Sequence, residues 1–330
     1  MIARLALIYG ARETVWPGIV QSLLAEGGAI ADTLLRCDRM IRTRLGWSLP
    51  EMSGREEHTP EHALEPTLTA VQAALTDGWR ERGVLPDAVG ARCGGEFAAA
   101  YARGAITLED AMEFACRFSR EILDGRATGH MLAVRIDLPE LKRMQRSSPV
   151  DFAIAVDYFH VGTVIACDTC SLAPLQEYLS GRGAAYQLLP PAVAYHSSEI
   201  DGWKDALIAP LGGDRPTLPR RPGYSATAGG LLDEQTSSVQ HFWRVVREPA
   251  IVGPLLERMI SDSYDVFLEV GGHPSLEEMI HNRARVSGKT IVSLCSMRRQ
   301  MSFAQVAKET LAALERAGCV TAARVDHSQP

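Results

Sequence analysis

The chain has no apolar run long enough for a membrane span, no basic excess and no second cysteine pair at zinc-binding spacing. A spanning helix needs about 20 consecutive apolar residues. The first apolar run, within "ARLALIYG", stops at Gly10, too short even for a signal-peptide core. No later segment reaches membrane length, so the expectation is a cytoplasmic protein with no membrane partner. The formal charge of -6 argues against a nucleic-acid partner, whose proteins carry a basic excess. The seven cysteines are odd in number, irregular in spacing and without an export signal, which predicts reduced thiols. Internal repeats are also absent.

What is present is an ordinary globular composition, 46% hydrophobic and 22% charged, over 330 residues. That length suits one large domain with an insertion, or two domains. "ARLALIY" (3–9) reads as a buried first strand. Helical spacing covers 17–45 with a break near Gly27 and Gly28, and again 68–83. The polar stretch 50–62 reads as a loop. "DAVGAR" (87–92) is a compact strand, and a helix follows Cys93 to about Gly104. The helix 107–122 opens with a Thr cap, and its stripe of Leu108, Ala111, Met112, Ala115, Phe118 and Ile122 faces a core. The rhythm then changes to β-α-β-β-α-β, the ferredoxin-like order, which assigns 128–196 to a small inserted subdomain. A Pro/Gly/Arg-rich stretch (209–223), a helix near 237–260, a strand within 264–276, a strand at 290–296 and a helix at 302–318 complete the chain; 325–330 reads as frayed. Strands alternating with helices predict an α/β fold with a largely parallel sheet covered on both sides. The large domain would be 1–127 with 197–330.

The stretch "ARCGGEF" (91–97) is where chemistry is expected. A strand, a glycine-flanked nucleophile and a helix form a nucleophile elbow, which projects one side chain and offers the helix N-terminus to an oxyanion. Here that side chain is Cys93, although a buried thiol beside a flexible joint fits the same residues. A helix N-terminus and the neighbouring Arg92 would favour its thiolate, and a cysteine nucleophile needs a partner base, most often histidine. Cys167 and Cys170 form a single C-x-x-C, read as structural. His58 and His62 lie four apart in a polar loop without a third ligand, so no metal is expected.

The segment "PDAVGARCGGEFAAAYARGAITLEDAMEFACR" (86–117) resembles the active-site segment of malonyl-CoA:acyl-carrier-protein transacylases and polyketide synthase acyltransferase domains. "WPG" (16–18), "GWSL" (46–49), "AVAYHSSEID" (192–201), "YSATAGG" (224–230), "HFWRVVREPAIV" (241–252) and "FLEVGGHPSL" (267–276) resemble further pieces of that family in order. The resemblance implies an α/β-hydrolase-like large domain with an inserted ferredoxin-like subdomain. It puts Cys93 in the place of the nucleophilic serine and His196 in that of the catalytic histidine. The second ring nitrogen of His196 would rest on a carbonyl near Gly271, Gly272 or His273. The backbone N–H groups of Gly94 and Ala11 would form the oxyanion hole. Arg117 takes the place of the arginine that grips a malonyl-type carboxylate and heads the substrate-binding set; its helical spacing, roughly opposite the apolar stripe, leaves a solvated arginine as the alternative. Arg92 replaces the motif histidine and Glu65 a glutamine before Pro66. Tyr195 fills a slot that varies with acyl choice, and these three join the substrate-binding set. The implied activity is acyl transfer from a coenzyme A or acyl-carrier-protein thioester, through Cys93, to a second acceptor in polyketide or related natural-product assembly. The acceptor of first choice is a carrier-protein thiol, with a hydroxyl or amine as options. No permanently bound cofactor is implied. Acyl-CoA and acyl carrier protein are the implied partners, and a ketosynthase a further candidate. Two other functions fit the same residues: an editing thioesterase, and a catalytically silent carrier-protein-binding module.

Overall fold

A computed structural model describes residues 3–54, 59–125, 128–158, 162–190, 192–209, 219–233 and 238–319. His58, the stretch 210–218 and the end 325–330, each assigned a role from sequence, lie outside the described residues.

The first strand, β1 (Leu5–Tyr9), is buried on both sides. Its side chains alternate between two cores. Leu5, Leu7 and Tyr9 enter one with Leu34, Leu75 and Phe303, whereas Ala6 and Ile8 enter the other with Phe97, Leu255 and Ile280. Such a strand is stable only when helices cover both faces, and each fully buried Leu or Ile contributes about 1.5–3 kcal/mol. Around it runs a six-stranded sheet in which β2 (Ala88–Ala91), β7 (Gly223–Ser225), β8 (Gly230–Leu231), β10 (Val266–Val270) and β11 (Val292–Cys295) take the order β11-β10-β1-β2-β7-β8. All pairs are parallel except β7 with β8. The parallel sheet matches expectation; the short β7 and β8 carry too few residues to signal themselves.

Helices α1 (Ile19–Leu24) and α2 (Gly28–Leu45) separate where the glycine pair predicts. The predicted loop 50–62 is instead a short helix, α3 (Leu49–Ser53), and the start of α4 (Glu61–Glu81). Pro66 lies inside α4 and cannot donate to the carbonyl of His62. Ser119 of α6 (Leu108–Leu123) donates its hydroxyl to that carbonyl at 2.5 Å, so the helix runs through the proline. Between them in the chain lies α5 (Gly95–Ala102).

A second sheet comprises β3 (His130–Val134), β4 (Ala153–Asp157), β5 (Thr163–Cys167) and β6 (Tyr186–Leu189), with α7 (Leu138–Ser147) and α8 (Leu172–Ser180) in the expected ferredoxin-like order. Its strands lie β6-β3-β5-β4, and the two-residue β9 (Ala250–Ile251) joins β4 in parallel. After the short α9 (Lys204–Ile208), the predicted helix 237–260 is therefore two, α10 (Ser238–Arg247) and α11 (Val252–Ser261). Pro249 stops the first, and β9 ties the junction to the second sheet. The chain then runs through α12 (Glu277–Val286) to α13 (Phe303–Arg316). No described helix is long and apolar enough to cross a membrane.

Candidate active site

β1 and β2 end side by side, and the turn after β2 is the bend foreseen at Cys93. Cys93 adopts φ +48°, a left-handed conformation that costs a non-glycine residue about 1–2 kcal/mol. The turn closes because Gly95 has no side chain: a Cβ there would stand 2.9 Å from the Tyr9 carbonyl oxygen and closer still to that of Gly10. Gln72 of α4 holds the same strand ends, donating to the carbonyls of Gly10 and Val270 at 2.9 and 3.1 Å. Beneath the elbow, the buried Glu96 accepts from Ser225 at 2.7 Å and meets His241 Nε2 at 2.5 Å, pinning α5 to β7 and α10.

His196 reaches the elbow from the segment after β6. It too has a left-handed backbone, φ +59°, with its N–H donating to Val246 at 2.9 Å. Its Nε2 stands 3.4 Å from Cys93 Sγ. Its Nδ1 lies 2.7 Å from the carbonyl oxygen of Glu248, so Nδ1 carries the proton and Nε2 is free to accept one. This corrects the expected carbonyl near Gly271–His273. Glu248 ends the α10 segment just before Pro249, so its carbonyl lacks a helical partner. The Gly272 carbonyl accepts from Trp16 instead. Burial pushes His196 down to about 4, the charges of Arg12 and Arg92 add to this, and the Glu248 carbonyl opposes it. At neutral pH the ring is uncharged.

The thiol does not match the expectation of a favoured thiolate. Burial raises Cys93, and Arg12, Arg92 and the Gly94 amide offset this only in part. Both cations face carboxylates. Arg92 pairs with Glu13 and donates to the Tyr158 hydroxyl at 3.4 Å. Arg12 pairs with Glu61 and lies 4.7 Å over the Tyr195 ring, whose hydroxyl donates to Glu61 at 2.6 Å. Cys93 and His196 thus form a neutral pair.

Glu65 is buried beside them. Its carboxyl packs on the Cα of Gly94, where a Cβ would collide with it, and its Oε1 has no hydrogen-bond partner among the described residues. Burial pushes it up to about 8, so it is largely protonated at neutral pH. Gly94 and Ala11, the expected oxyanion donors, both line the cavity over Cys93. The Ala11 N–H is turned to Glu13 Oε1 at 3.3 Å.

That cavity, about 450 Å³, lies between the elbow and the second sheet. It gathers Cys93, His196, Gly94, Ala11, Arg92, Tyr195 and Glu65, but not Arg117. Arg117 binds Glu113 one turn back at 3.1 Å and the Ala209 carbonyl at 2.5 Å. Its neighbour Phe118 faces the cavity, stacked on Tyr195 at 5.5 Å. One helical residue rotates the side chain by about 100°, which carries Arg117 off the cavity that Phe118 lines; its side chain is 22% exposed, so it is not the solvated arginine of the spacing reading either. Sequence reasoning missed Phe118 as a cavity wall, along with Arg12, Glu13, Glu61 and Tyr158. The stripe was the signal for Phe118, and the charged "GARET" after β1 for Arg12 and Glu13. Among the described residues no cluster suits a metal. Cys167 is buried and Cys170 exposed, both as free thiols, and His273 lies outside the cavity, with Nδ1 3.3 Å from the Pro274 carbonyl and Nε2 3.3 Å from the Arg299 guanidinium.

Residues 8–320 match the acyl transferase domain family. The chain is 26% identical over 305 residues to pikromycin polyketide synthase component PikAIII of Streptomyces venezuelae, covering 91% of this chain and 19% of that protein. It is 28% identical over 303 residues to the spectinabilin polyketide synthase system protein NorA of Streptomyces orinoci, covering 90% and 16%. The chain thus spans less than a fifth of these relatives. Among solved structures, the acyltransferase domain from module 8 of the salinomycin polyketide synthase matches with TM-score 0.84 at 22% identity, covering 96% of this chain and 75% of that one. The malonyl CoA-acyl carrier protein transacylase of Clostridium perfringens matches with TM-score 0.76 at 17% identity, covering 95% and 98%. The fold, a large α/β domain with a small ferredoxin-like subdomain, is shared with these structures.

Proposed function

The chain belongs to the acyl transferase domain family, and from that premise we propose that Cys93 takes an acyl group from a coenzyme A or carrier-protein thioester and hands it to a second acceptor. A carrier-protein thiol is the acceptor of first choice, and polyketide or related assembly the setting. The observation that carries this reading is the 3.4 Å approach of His196 Nε2 to Cys93 Sγ at a left-handed elbow.

The thiol sulfur attacks the thioester carbonyl as its proton moves to Nε2. The Glu248 carbonyl, 2.7 Å from Nδ1, fixes the ring in the accepting tautomer. A histidine held near 4 is a weak base, so the imidazolium is transient and proton transfer accompanies bond formation. The oxyanion meets the Gly94 N–H, joined by the Ala11 N–H once it leaves its long bond to Glu13. Collapse breaks the bond to the leaving thiolate, which takes the proton back from Nε2. The acceptor thiol repeats the sequence in reverse. Thioester-to-thioester exchange is nearly isoenergetic, which suits transfer better than hydrolysis.

The test is an assay with labelled acyl-CoA, holo carrier protein and enzyme, separating acyl-carrier product from free acid. The label should reach the carrier thiol, and His196→Ala should slow this by about 10²–10⁴-fold. Free acid at the same rate with and without carrier protein would favour the editing thioesterase instead.

A further inference from the structure

The cavity over Cys93 identifies the acyl group more closely. We infer, granting the Cys93 acyl-enzyme, that the group carried is an uncharged, extended apolar acyl chain, lying across the second sheet, rather than a carboxylated extender unit. Three observations support this.

The first is charge. The cavity holds two cations, and each is already matched: Arg12 by Glu61 and Arg92 by Glu13. An acyl carboxylate entering there would bring a third acidic charge to two cations, with the Glu65 carboxyl beside it. Burying an unpaired carboxylate is costly. Arg117 points to Glu113 and Ala209, and the position facing the cavity is the Phe118 ring.

The second is size and lining. At about 30 Å³ per water-sized group, 450 Å³ has room for about fifteen non-hydrogen atoms, well beyond a malonyl group. Much of the lining is apolar, including Phe118, Met131, Val156, Val164, Leu189 and Val246.

The third is continuity. Ala133 of β3 and Val164 of β5 are register partners. With Tyr158 they line this cavity and also a second one of about 380 Å³. The second has a more polar rim, including Arg135, Thr163 and Gln187. A chain crossing Ala133 and Val164 would rest its apolar body on the sheet and bring its far end to that rim.

The experiment measures two things with acetyl-, malonyl-, octanoyl- and dodecanoyl-CoA: acyl-enzyme formation on wild type by intact-mass spectrometry, and equilibrium binding to Cys93→Ala by calorimetry. Octanoyl-CoA should exceed malonyl-CoA by at least about tenfold in both, since each buried methylene contributes about 0.8 kcal/mol. Phe118→Arg should shift the ratio toward malonyl, and Ala133→Trp should reduce dodecanoyl more than acetyl. Malonyl capture or binding equal to or above octanoyl overturns the inference while leaving the acyl-enzyme intact. Octanoyl preference in binding, with no adduct from any thioester, supports the acyl class and removes the acyl-enzyme. Loss of selectivity in neither variant overturns the assigned path.

Discussion

Replacing Glu65 by Gln should make the protein more stable, and more so as pH rises. The Glu65 carboxyl is buried with Oε1 unpartnered and is held at about 8 against 4.5 for an ordinary glutamic acid. Because the folded-state value is the higher one, the folded protein keeps a proton that the unfolded chain releases. The stabilisation is complete below 4.5 and is lost as pH rises through 8. Between pH 5 and 8 the two values give a loss of about 3.5 kcal/mol, and structural relaxation reduces this to about 2–3 kcal/mol. Gln has the same shape and no proton to lose. Urea denaturation of wild type and Glu65→Gln at pH 5 and pH 8 gives the difference directly. The variant's gain should be about 2–3 kcal/mol larger at pH 8 than at pH 5. A gain equal at both pH values would mean that Glu65 titrates as an exposed acid, and would refute the neutral-cavity reasoning.

The rate of acyl-enzyme formation should rise through about pH 4, as His196 loses its proton, and stay flat to neutrality; stopped-flow release of the leaving thiol checks this, and an inflection near 6.5 would contradict it. Alkylation of Cys93 by iodoacetamide at pH 7 should be slower than that of a free thiol, because burial holds it above its ordinary value. Gly95→Ala should cost about 1–3 kcal/mol or more, since the new Cβ meets the Tyr9 and Gly10 carbonyl oxygens; a melt unchanged from wild type would place the elbow elsewhere. Arg117→Ala should alter acyl selectivity by less than about threefold, the scale of a single weak contact, whereas an arginine gripping the acyl group would change it far more.

The parallel sheet, the inserted ferredoxin-like order and the bend at Cys93 were legible because each rests on local pattern. Leu5–Tyr9 is a continuous apolar run, and "ARCGGEF" places a glycine pair against a helix. What was not legible depends on partners distant in sequence. Helix α4 continues through Pro66 because Ser119 supplies the missing donor. The carbonyl on His196 belongs to Glu248 rather than to the glycine turn after β10, because β9 draws the Glu248 segment against the second sheet. Arg92 favours a thiolate when only its sequence neighbour is considered, and does so far less once Glu13 shares its charge and burial outweighs both. At Arg117 neither reading was complete: the side chain lies outside the cavity, yet it is half-buried against Glu113 and the Ala209 carbonyl, a partner 92 residues away in the sequence.

The central claim is a thioester on one of seven thiols. Wild type and Cys93→Ala, incubated with octanoyl-CoA and quenched in acid, can be compared by intact mass and by peptide mapping. One acyl group on the peptide containing Cys93, absent from Cys93→Ala, is the predicted result. An adduct of equal yield that survives Cys93→Ala, or no adduct on wild type with any thioester, would contradict the account.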